Sequence, residues 1–251
     1  MNRIICVLAL ALLISCSTQK KSVENKSISS VAFDTLTLLD QSRNREIPIA
    51  IYKPQTKHPQ IVLISHGYSQ NEGKPYLAYS DLANFMASKG YFVVSIQHER
   101  PTDSLIPQKG IPQIVRRPFW ERGADNIMFV INELKKTNPE IDFKHITLLG
   151  HSIGGDMIAL FPQKYSDIVC KIITFDNRRM ALPRTTNPKV YSLRSSDQPA
   201  DPDVLPTEAE QKKYGITIIK LPNTNHSDMC DNATDKQREE IRDYVLMFLN
   251  D

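Results

Sequence analysis

The sequence predicts an α/β fold built on a mostly parallel, eight-stranded sheet with helices on both faces. Three observations support this fold class: two alternating segments open the chain, six short apolar runs follow, and helical patterns separate several of those runs. Short runs rich in Val, Ile and Phe are typical of parallel strands that helices cover on both sides. Strands that alternate with helices in this way indicate a doubly wound sheet.

The first predicted element is a β-hairpin. Residues 33–39 and 46–52 alternate apolar and polar side chains around a polar segment at 41–44. Alternation with a period of two is typical of a strand with one buried face. We therefore expect the chain to open with two strands joined by a short turn.

The remaining elements follow from the apolar runs and from helical spacing. Apolar residues spaced i, i+3, i+4, i+7 predict a helix around 127–134. A similar stripe at 241–249 follows Thr234 and Gln237, which together match a capping box at a helix start. The six predicted buried strands are 61–65, 91–96, 146–149, 169–175, 190–193 and 216–221.

The composition of the chain limits the classes of protein to which it can belong. The 251 residues, 41% of them hydrophobic, suit one globular domain, and we expect a monomer. The formal net charge of +3 gives no basic excess of the kind that a nucleic-acid binder needs, so no nucleic-acid partner is expected. Glycine is scarce, yet three of the nine glycines, Gly150, Gly154 and Gly155, fall within six residues.

The N-terminus resembles an export signal rather than part of the fold. Arg3 precedes an apolar run at 4–14, which is shorter than the roughly 20 residues that span a bilayer. The run ends in Leu-Ile-Ser-Cys, which resembles the bacterial lipobox and makes Cys16 the lipidated residue. An ordinary signal peptide with an incidental cysteine is the alternative.

This segment sets the predicted domain organisation and location. Residues 1–15 form the signal peptide, 16–32 the lipidated cysteine and a polar tether, and 33–251 the folded domain. A coil of about 15 residues has a typical reach of roughly 20 Å. We expect a protein of the bacterial cell envelope that contacts the membrane through its anchor alone. Cys170 and Cys230 are expected to be free thiols, because they fall at opposite edges of the sheet.

One motif predicts chemistry. Residues 150–154 read Gly-His-Ser-Ile-Gly, directly between a predicted strand and a predicted helix. A serine on such a strained strand-to-helix turn is exposed at a helix N-terminus, where backbone N–H groups favour negative charge. The flanking glycines leave room for the neighbouring strand and helix. The alternative is an incidental Gly-rich turn.

Further polar residues follow other predicted strands. Ser-His-Gly-Tyr at 65–68 comes directly after one strand, and His226 follows the last strand and precedes the final helix. Asp197 follows the strand at 190–193, and Asp176 ends the strand before it. His66 is interpreted as a turn residue rather than as a base.

On these residues the chain resembles the α/β-hydrolase superfamily, and within it bacterial esterases similar to dienelactone hydrolases, platelet-activating-factor acetylhydrolases and polyester hydrolases. The resemblance runs from 65–68 through 150–155 to His226 and covers nearly all of the chain after the tether. True dienelactone hydrolases use a cysteine nucleophile. Ser152 in that position argues against dienelactone hydrolysis.

The resemblance implies roles for named residues. Ser152 is the nucleophile, His226 the base, and the backbone N–H groups of Tyr68 and Ile153 form the oxyanion hole. Asp197 occupies the commonest acid position of this fold. Asp176 is the alternative acid, because acetylhydrolase-like relatives carry the acid after the earlier strand.

The implied function is hydrolysis of carboxylic esters through an acyl-enzyme on the serine, with no cofactor and no metal. The substrate is expected to be a small-molecule or lipid-like ester. Alternatives are an amidase, peptidase or acyltransferase on the same triad, or a binding lipoprotein without catalysis. Residues 177–188 are too few for a large cap domain, so an open cleft is expected. The long segment 98–120 is either an acyl-binding rim or a proline-stiffened surface loop.

Overall fold

A computed structural model of the protein describes residues 31–251. The predicted signal peptide, Cys16 and the predicted tether up to residue 30 lie outside the described residues and stay predictions. The first strand begins at Ala32, inside the end of the predicted tether. Within the described range, no helix is long and apolar enough to cross a membrane.

The described residues form one eight-stranded sheet in the order β1-β2-β4-β3-β5-β6-β7-β8. The first two strands are antiparallel to their neighbours and all other pairs are parallel, which confirms the predicted sheet. The strands are β1 (Ala32–Asp40), β2 (Arg45–Lys53), β3 (Gln60–Ser65), β4 (Phe92–Ile96), β5 (Asp142–His151), β6 (Lys171–Phe175), β7 (Lys189–Arg194) and β8 (Thr217–Lys220).

Six α-helices connect the strands and cover the sheet. They are α1 (Ser80–Ser88), α2 (Pro112–Val115), α3 (Arg117–Thr137), α4 (Ile153–Lys164), α5 (Glu208–Tyr214) and α6 (Asp235–Asn250). Short 3-10 turns occur at Pro75–Leu77 and His226–Asp228. The predicted capping box is present at the start of α6, where the side chains of Thr234 and Gln237 bind each other's backbone N–H groups.

The core consists of two layers, one on each face of the sheet. Val62 and Ile64 of β3 pack in the layer that α1 and α6 cover, whereas Ile61 and Leu63 pack in the layer that α3 covers. Successive strand residues point to opposite faces, so a strand buried on both sides is continuously apolar. The apolar runs of the sequence therefore follow from this two-sided burial.

The amino ends and the carboxyl ends of the parallel strands form two opposite edges of the sheet, and these two edges differ in what they carry. The parallel strands β3, β5, β6 and β8 all end at one edge, and ligands of open α/β sheets bind outside the carboxyl ends of such strands. The chain enters at the other edge, because Ala32 pairs with Lys53 at the far end of β2, which runs antiparallel to β4. Leu36 is level with Ile96, the last residue of β4, because both pair with Ile49, so four steps along β1, roughly 14 Å, separate Ala32 from the carboxyl edge.

The two described cysteines, Cys170 and Cys230, are free, as predicted.

Candidate active site

Ser152 sits on a strained turn between β5 and α4. Its φ of 52° and ψ of −119° lie where a non-glycine residue is rarely found, at a cost of about 1–3 kcal/mol. A Cβ at Gly150 would lie 2.4 Å from the Gly154 carbonyl oxygen, and one at Gly154 would lie 2.2 Å from the Ser65 carbonyl oxygen. Backbone therefore fills the space around the serine, and the glycines are needed for that reason.

The turn is tied to the neighbouring strand. The Ser152 N–H donates to the Phe175 carbonyl oxygen at 2.8 Å, which places the serine beside the end of β6. Asp176 is the next residue, and it also has a positive φ, of 53°. The ends of β5 and β6 therefore bring Ser152 and Asp176 to the same place on the sheet edge.

His226 lies in the 3-10 turn after β8, and its ring contacts Asp176. Its Nδ1 is 2.6 Å from Asp176 Oδ2, and the imidazole is partly exposed whereas the carboxylate is fully buried. Because a carboxylate only accepts hydrogen bonds, Nδ1–H donates and Nε2 carries the free lone pair of the neutral ring. A histidine held in this way is the base of Ser-His-Asp triads.

The surroundings of Asp176 stabilise its negative charge. The Ser195 N–H and hydroxyl donate to it at 3.0 and 2.6 Å, and the Arg194 guanidinium lies 3.0 Å away. Burial alone would raise the pKa of Asp176, but the bonds from His226 and Ser195 and the charge of Arg194 outweigh it, and the pKa lies below its ordinary value. Asp176 is therefore a buried, ionised partner of His226.

Asp197, the acid predicted first, does not contact the imidazole. Its side chain is exposed and accepts the backbone N–H of His226 at 2.7 Å. The prediction that Asp197 holds the ring is therefore wrong, and the alternative, Asp176, occupies that position. The physical reason is distance along the sheet: Asp176 directly follows a strand beside β5, whereas Asp197 lies three residues past the end of the next strand out.

In the loop after β3, the Tyr68 N–H has no acceptor among the described residues, although the N–H groups on either side of it do. Gly67 N–H donates to the Tyr79 hydroxyl at 3.1 Å, and Ser69 N–H donates to the Glu99 carboxylate at 3.1 Å. Between them, the Tyr68 N–H donates to no group within residues 31–251. A Cβ at Gly67 would lie 3.5 Å from the Ser152 Cβ, so this loop packs directly against the serine.

Ile153 supplies a second N–H of the same kind. It is the first residue of α4, where a helix has no internal acceptor for its N–H groups. Of the residues predicted for the oxyanion hole, Tyr68 therefore follows the glycine that packs on Ser152, and Ile153 follows Ser152 itself. Their role as oxyanion donors stays a prediction.

His66 and His98 support the loop instead of facing the cleft. His66 is fully buried, donates from Nδ1 to the Gly67 carbonyl oxygen at 2.7 Å and accepts the His98 N–H at 2.9 Å. His98 lies behind it, with Nε2 3.0 Å from the Ser65 hydroxyl. Burial lowers the pKa of both rings, which keeps them neutral. This geometry agrees with the interpretation of His66 as a turn residue.

An apolar cluster lies beside the two donors. Ile153 and Tyr68 pack with Ile106, Trp120 and Met180, and the Ile106 N–H donates to the Tyr68 hydroxyl at 3.2 Å. Ile106 and Trp120 come from the long segment 98–120. Both side chains are buried against residues of the site, and the two interpretations of the segment stay open.

Several residues around the site carry no signal in the sequence. Tyr79, Glu99, Arg194 and Ser195 touch site residues that are between 12 and 72 positions away. No short motif joins such partners. Within the described residues, no group of three His, Cys, Asp or Glu side chains is arranged to hold a metal ion.

A curated protein and several solved structures are similar to this chain. No family model matches the sequence. A protein of Arthroderma benhamiae named "Probable 1-alkyl-2-acetylglycerophosphocholine esterase" is 31% identical over 94 residues, which cover 33% of this chain and 23% of that protein. This chain therefore spans less than a quarter of the curated relative that it matches.

Solved structures resemble the whole described domain. One from a study of two fungal esterases of Rhizomucor miehei is 15% identical, with 90% of this chain and 84% of that chain covered and a TM-score of 0.63. An α/β serine hydrolase without a lid, from Xanthomonas campestris, is 14% identical over 87% and 94% of the chains, with a TM-score of 0.56. An acylaminoacyl peptidase of Pyrococcus horikoshii is 14% identical over 90% of this chain and 42% of that chain, with a TM-score of 0.63.

The sheet order, the strained serine turn and these neighbours define one class of protein. The chain has the α/β-hydrolase fold, with a mostly parallel eight-stranded sheet and no cap domain among residues 31–251. The fold is shared by enzymes with different substrates, so the reaction has to be argued from the site.

Proposed function

We propose that the protein is a serine hydrolase that cleaves carboxylic esters through an acyl-enzyme on Ser152. The observation that carries this proposal is the convergence at one sheet edge of an elbow serine, a histidine bound to a buried carboxylate, and two N–H groups without acceptors. Each part has a place in acyl transfer.

The mechanism follows from the hydrogen-bond directions. His226 Nε2 takes the proton of Ser152 as the serine oxygen attacks the ester carbonyl carbon, and Asp176 stabilises the imidazolium that forms. The N–H groups of Tyr68 and Ile153 bind the oxyanion. The tetrahedral intermediate expels the alcohol, which receives the proton from His226, and the acyl group stays on Ser152. Water, activated by the same histidine, then releases the acid.

The substrate proposed is an ester with an apolar group. Trp120, Ile106 and Met180 form a buried apolar cluster that packs against Ile153 and Tyr68, so the surroundings of the two donors suit an apolar acyl or alkoxy group. The Arthroderma relative is named for an ester of a glycerophosphocholine, which supports an ester as the bond that is cleaved. The substrate class is therefore a small-molecule or lipid-like ester.

A peptidase or amidase is the second candidate, because an acylaminoacyl peptidase shares the fold. Hydrolysis of p-nitrophenyl acetate and butyrate, compared with the matching p-nitroanilides, distinguishes the two. We expect turnover of the esters, labelling by a fluorophosphonate probe, and loss of both in Ser152→Ala by at least about 10⁴-fold. If the wild-type protein neither turns over esters nor labels, the proposal fails.

We also propose that the protein is lipid-anchored at Cys16 in the cell envelope. The first described strand begins at the amino ends of the parallel strands, opposite the edge that carries Ser152. A flexible tether with a typical reach of about 20 Å would keep the domain close to the bilayer without entering it. Cys16→Ala should abolish globomycin-sensitive processing and membrane fractionation. Unchanged processing and fractionation in this variant would contradict the anchor.

A further inference from the structure

One buried hydroxyl links the loop after β3 to the histidine that precedes Ser152. Tyr79, at the start of α1, is 4% exposed, and its hydroxyl accepts the Gly67 N–H at 3.1 Å. The same hydroxyl lies 2.7 Å from His151 Nδ1. The ring centroid of His151 is in turn 4.6 Å from that of His226. A continuous chain of contacts therefore runs from the Gly67 amide to the catalytic imidazole.

The direction of the first hydrogen bond is fixed, because Gly67 N–H only donates and the Tyr79 oxygen therefore accepts it. We assign the hydroxyl proton to the bond with His151 Nδ1. The neutral His151 ring then carries its proton on Nε2, where it can donate to the His226 backbone. Burial and the neighbouring His226 lower the pKa of His151 to about 3, so the ring stays neutral over the ordinary pH range.

We propose that Tyr79 and His151 are positioning residues for the oxyanion hole and for His226. This inference rests on the proposed function. Tyr68, whose N–H is free, lies between Gly67 and Ser69, whose N–H groups are held by Tyr79 and Glu99. Holding the peptides on both sides limits rotation of the Gly67–Tyr68 peptide, whose carbonyl oxygen is also bound by His66 Nδ1 at 2.7 Å. His151 packs against the imidazole of His226 and limits how that ring can tilt.

The packing leaves little room for the loop to adjust. A Cβ at Gly67 would lie 3.1 Å from His151 Nδ1, which is closer than ordinary contact. An oxyanion-hole donor acts only at about 2.7–3.1 Å from the developing charge, so a small rotation of the Tyr68 peptide lowers transition-state stabilisation. Substrate binding in the ground state does not depend on that distance in the same way. Loss of the Tyr79 hydroxyl should therefore lower kcat rather than raise KM.

The first test is Tyr79→Phe, which keeps the ring in the core and removes only the hydroxyl. Removal of a whole oxyanion donor lowers kcat by about 10²–10³-fold, so a misaligned donor should cost about 10–10²-fold. We expect that loss with p-nitrophenyl butyrate, with KM within about threefold, and an equal loss of affinity for an alkyl boronic acid that mimics the tetrahedral intermediate.

Tyr191→Phe is the matched control, because Tyr191 is also buried and its hydroxyl hydrogen-bonds to Asp251 instead of to the site. It should keep wild-type kcat and boronic-acid affinity. If Tyr79→Phe behaves like Tyr191→Phe in both measurements, Tyr79 is only a core residue and the inference is wrong, while the proposed function stands.

His151 gives a second pair of variants. His151→Asn keeps an acceptor close to the position of Nδ1 and should retain most of kcat, whereas His151→Leu should lose at least as much as Tyr79→Phe. In the double variant Tyr79→Phe/His151→Leu the losses should not multiply, because both break the same link.

These variants decide the question even if Tyr79→Phe does not fold. Equal activity of folded His151→Asn and His151→Leu would overturn the inference. A wild-type protein that neither turns over esters nor reacts with a fluorophosphonate would overturn the inference and the proposed function together.

Discussion

The ends of two neighbouring strands, β6 and β7, both approach His226, but they contact different atoms of it. At the end of β6, Asp176 is fully buried and binds the imidazole Nδ1. Past the end of β7, Asp197 is exposed and binds only the backbone N–H. Both residues are aspartates in loops at the same sheet edge. Their roles differ because Asp176 is buried and contacts the imidazole, whereas Asp197 is exposed and contacts only the backbone. The residue type is the same in both.

The end of β7 supports the acid instead of supplying it. Arg194 and Ser195, at and just after the end of that strand, surround the carboxylate of Asp176. Charges interact more strongly in such a dry environment than at the surface, where water and salt screen them. A negative charge at Asp176 can therefore stabilise an imidazolium much more than one at Asp197 can.

The largest expected effect comes from Asp176→Asn. Asparagine fits the site but carries no charge and presents the histidine with the wrong tautomer, which in Ser-His-Asp triads lowers kcat by about 10⁴-fold. We expect a loss of that order in ester turnover. Fluorophosphonate labelling should slow in parallel, with thermal unfolding followed to confirm the fold. Near wild-type turnover would restore Asp197 as the candidate acid.

Acid stability tests the environment of Asp176 next. The pKa of Asp176 in the folded protein lies below its ordinary value. Its contribution to stability is therefore fully present above the unfolded-state pKa of about 3.9 and is lost as the pH falls through the folded-state pKa. The free energy of unfolding, measured in urea between pH 7 and pH 3, should fall less steeply in Asp176→Asn than in the wild type. Identical slopes would contradict a depressed pKa.

A smaller effect is expected for Ser195→Ala. The variant removes the 2.6 Å bond from the hydroxyl to Asp176 and keeps the bond from the backbone N–H. One hydrogen bond to a charged group is worth about 1.5–3 kcal/mol, and we expect up to about a tenfold loss of kcat/KM because the remaining bonds still hold the carboxylate. Ser196→Ala, whose hydroxyl binds the Thr224 carbonyl oxygen, is the control and should stay near wild type.

The smallest effect is expected for Asp197→Asn. The amide oxygen can still accept the His226 N–H, and the exposed charge that is lost is screened by water. Ester turnover should stay within about threefold of wild type. A loss comparable to that of Asp176→Asn would show that the exposed carboxylate acts on the imidazole after all.

Most of the fold could be predicted from the sequence, because the spacing of apolar residues along the chain follows from which faces of each strand and helix are buried. The eight strands and the capping box of α6 all occur where the patterns predict them. The serine turn could also be predicted, because Gly150 and Gly154 exclude a Cβ for reasons that act within a few residues. These features are local, so a local pattern is enough to find them.

The acid could not be predicted in the same way. Chain order allows either Asp176 or Asp197, since each follows a strand that lies between the serine and the histidine in sequence. The choice depends on the turn at Asp176, where a positive φ directs the carboxylate inward, and on partners from β7. No property of an isolated Asp-containing loop carries that information.

By itself, the sequence determined a two-sided parallel sheet, a strained serine between strand and helix, and a histidine after the last strand. Each rests on local backbone preference or on the periodicity of burial. Only the tertiary structure decided that Asp176 holds the imidazole, that the Tyr68 N–H stays free between two bound amides, and that Tyr79 joins the loop to His151. Those features depend on side chains from different strands and helices meeting at distances of about 3 Å, and packing sets those distances.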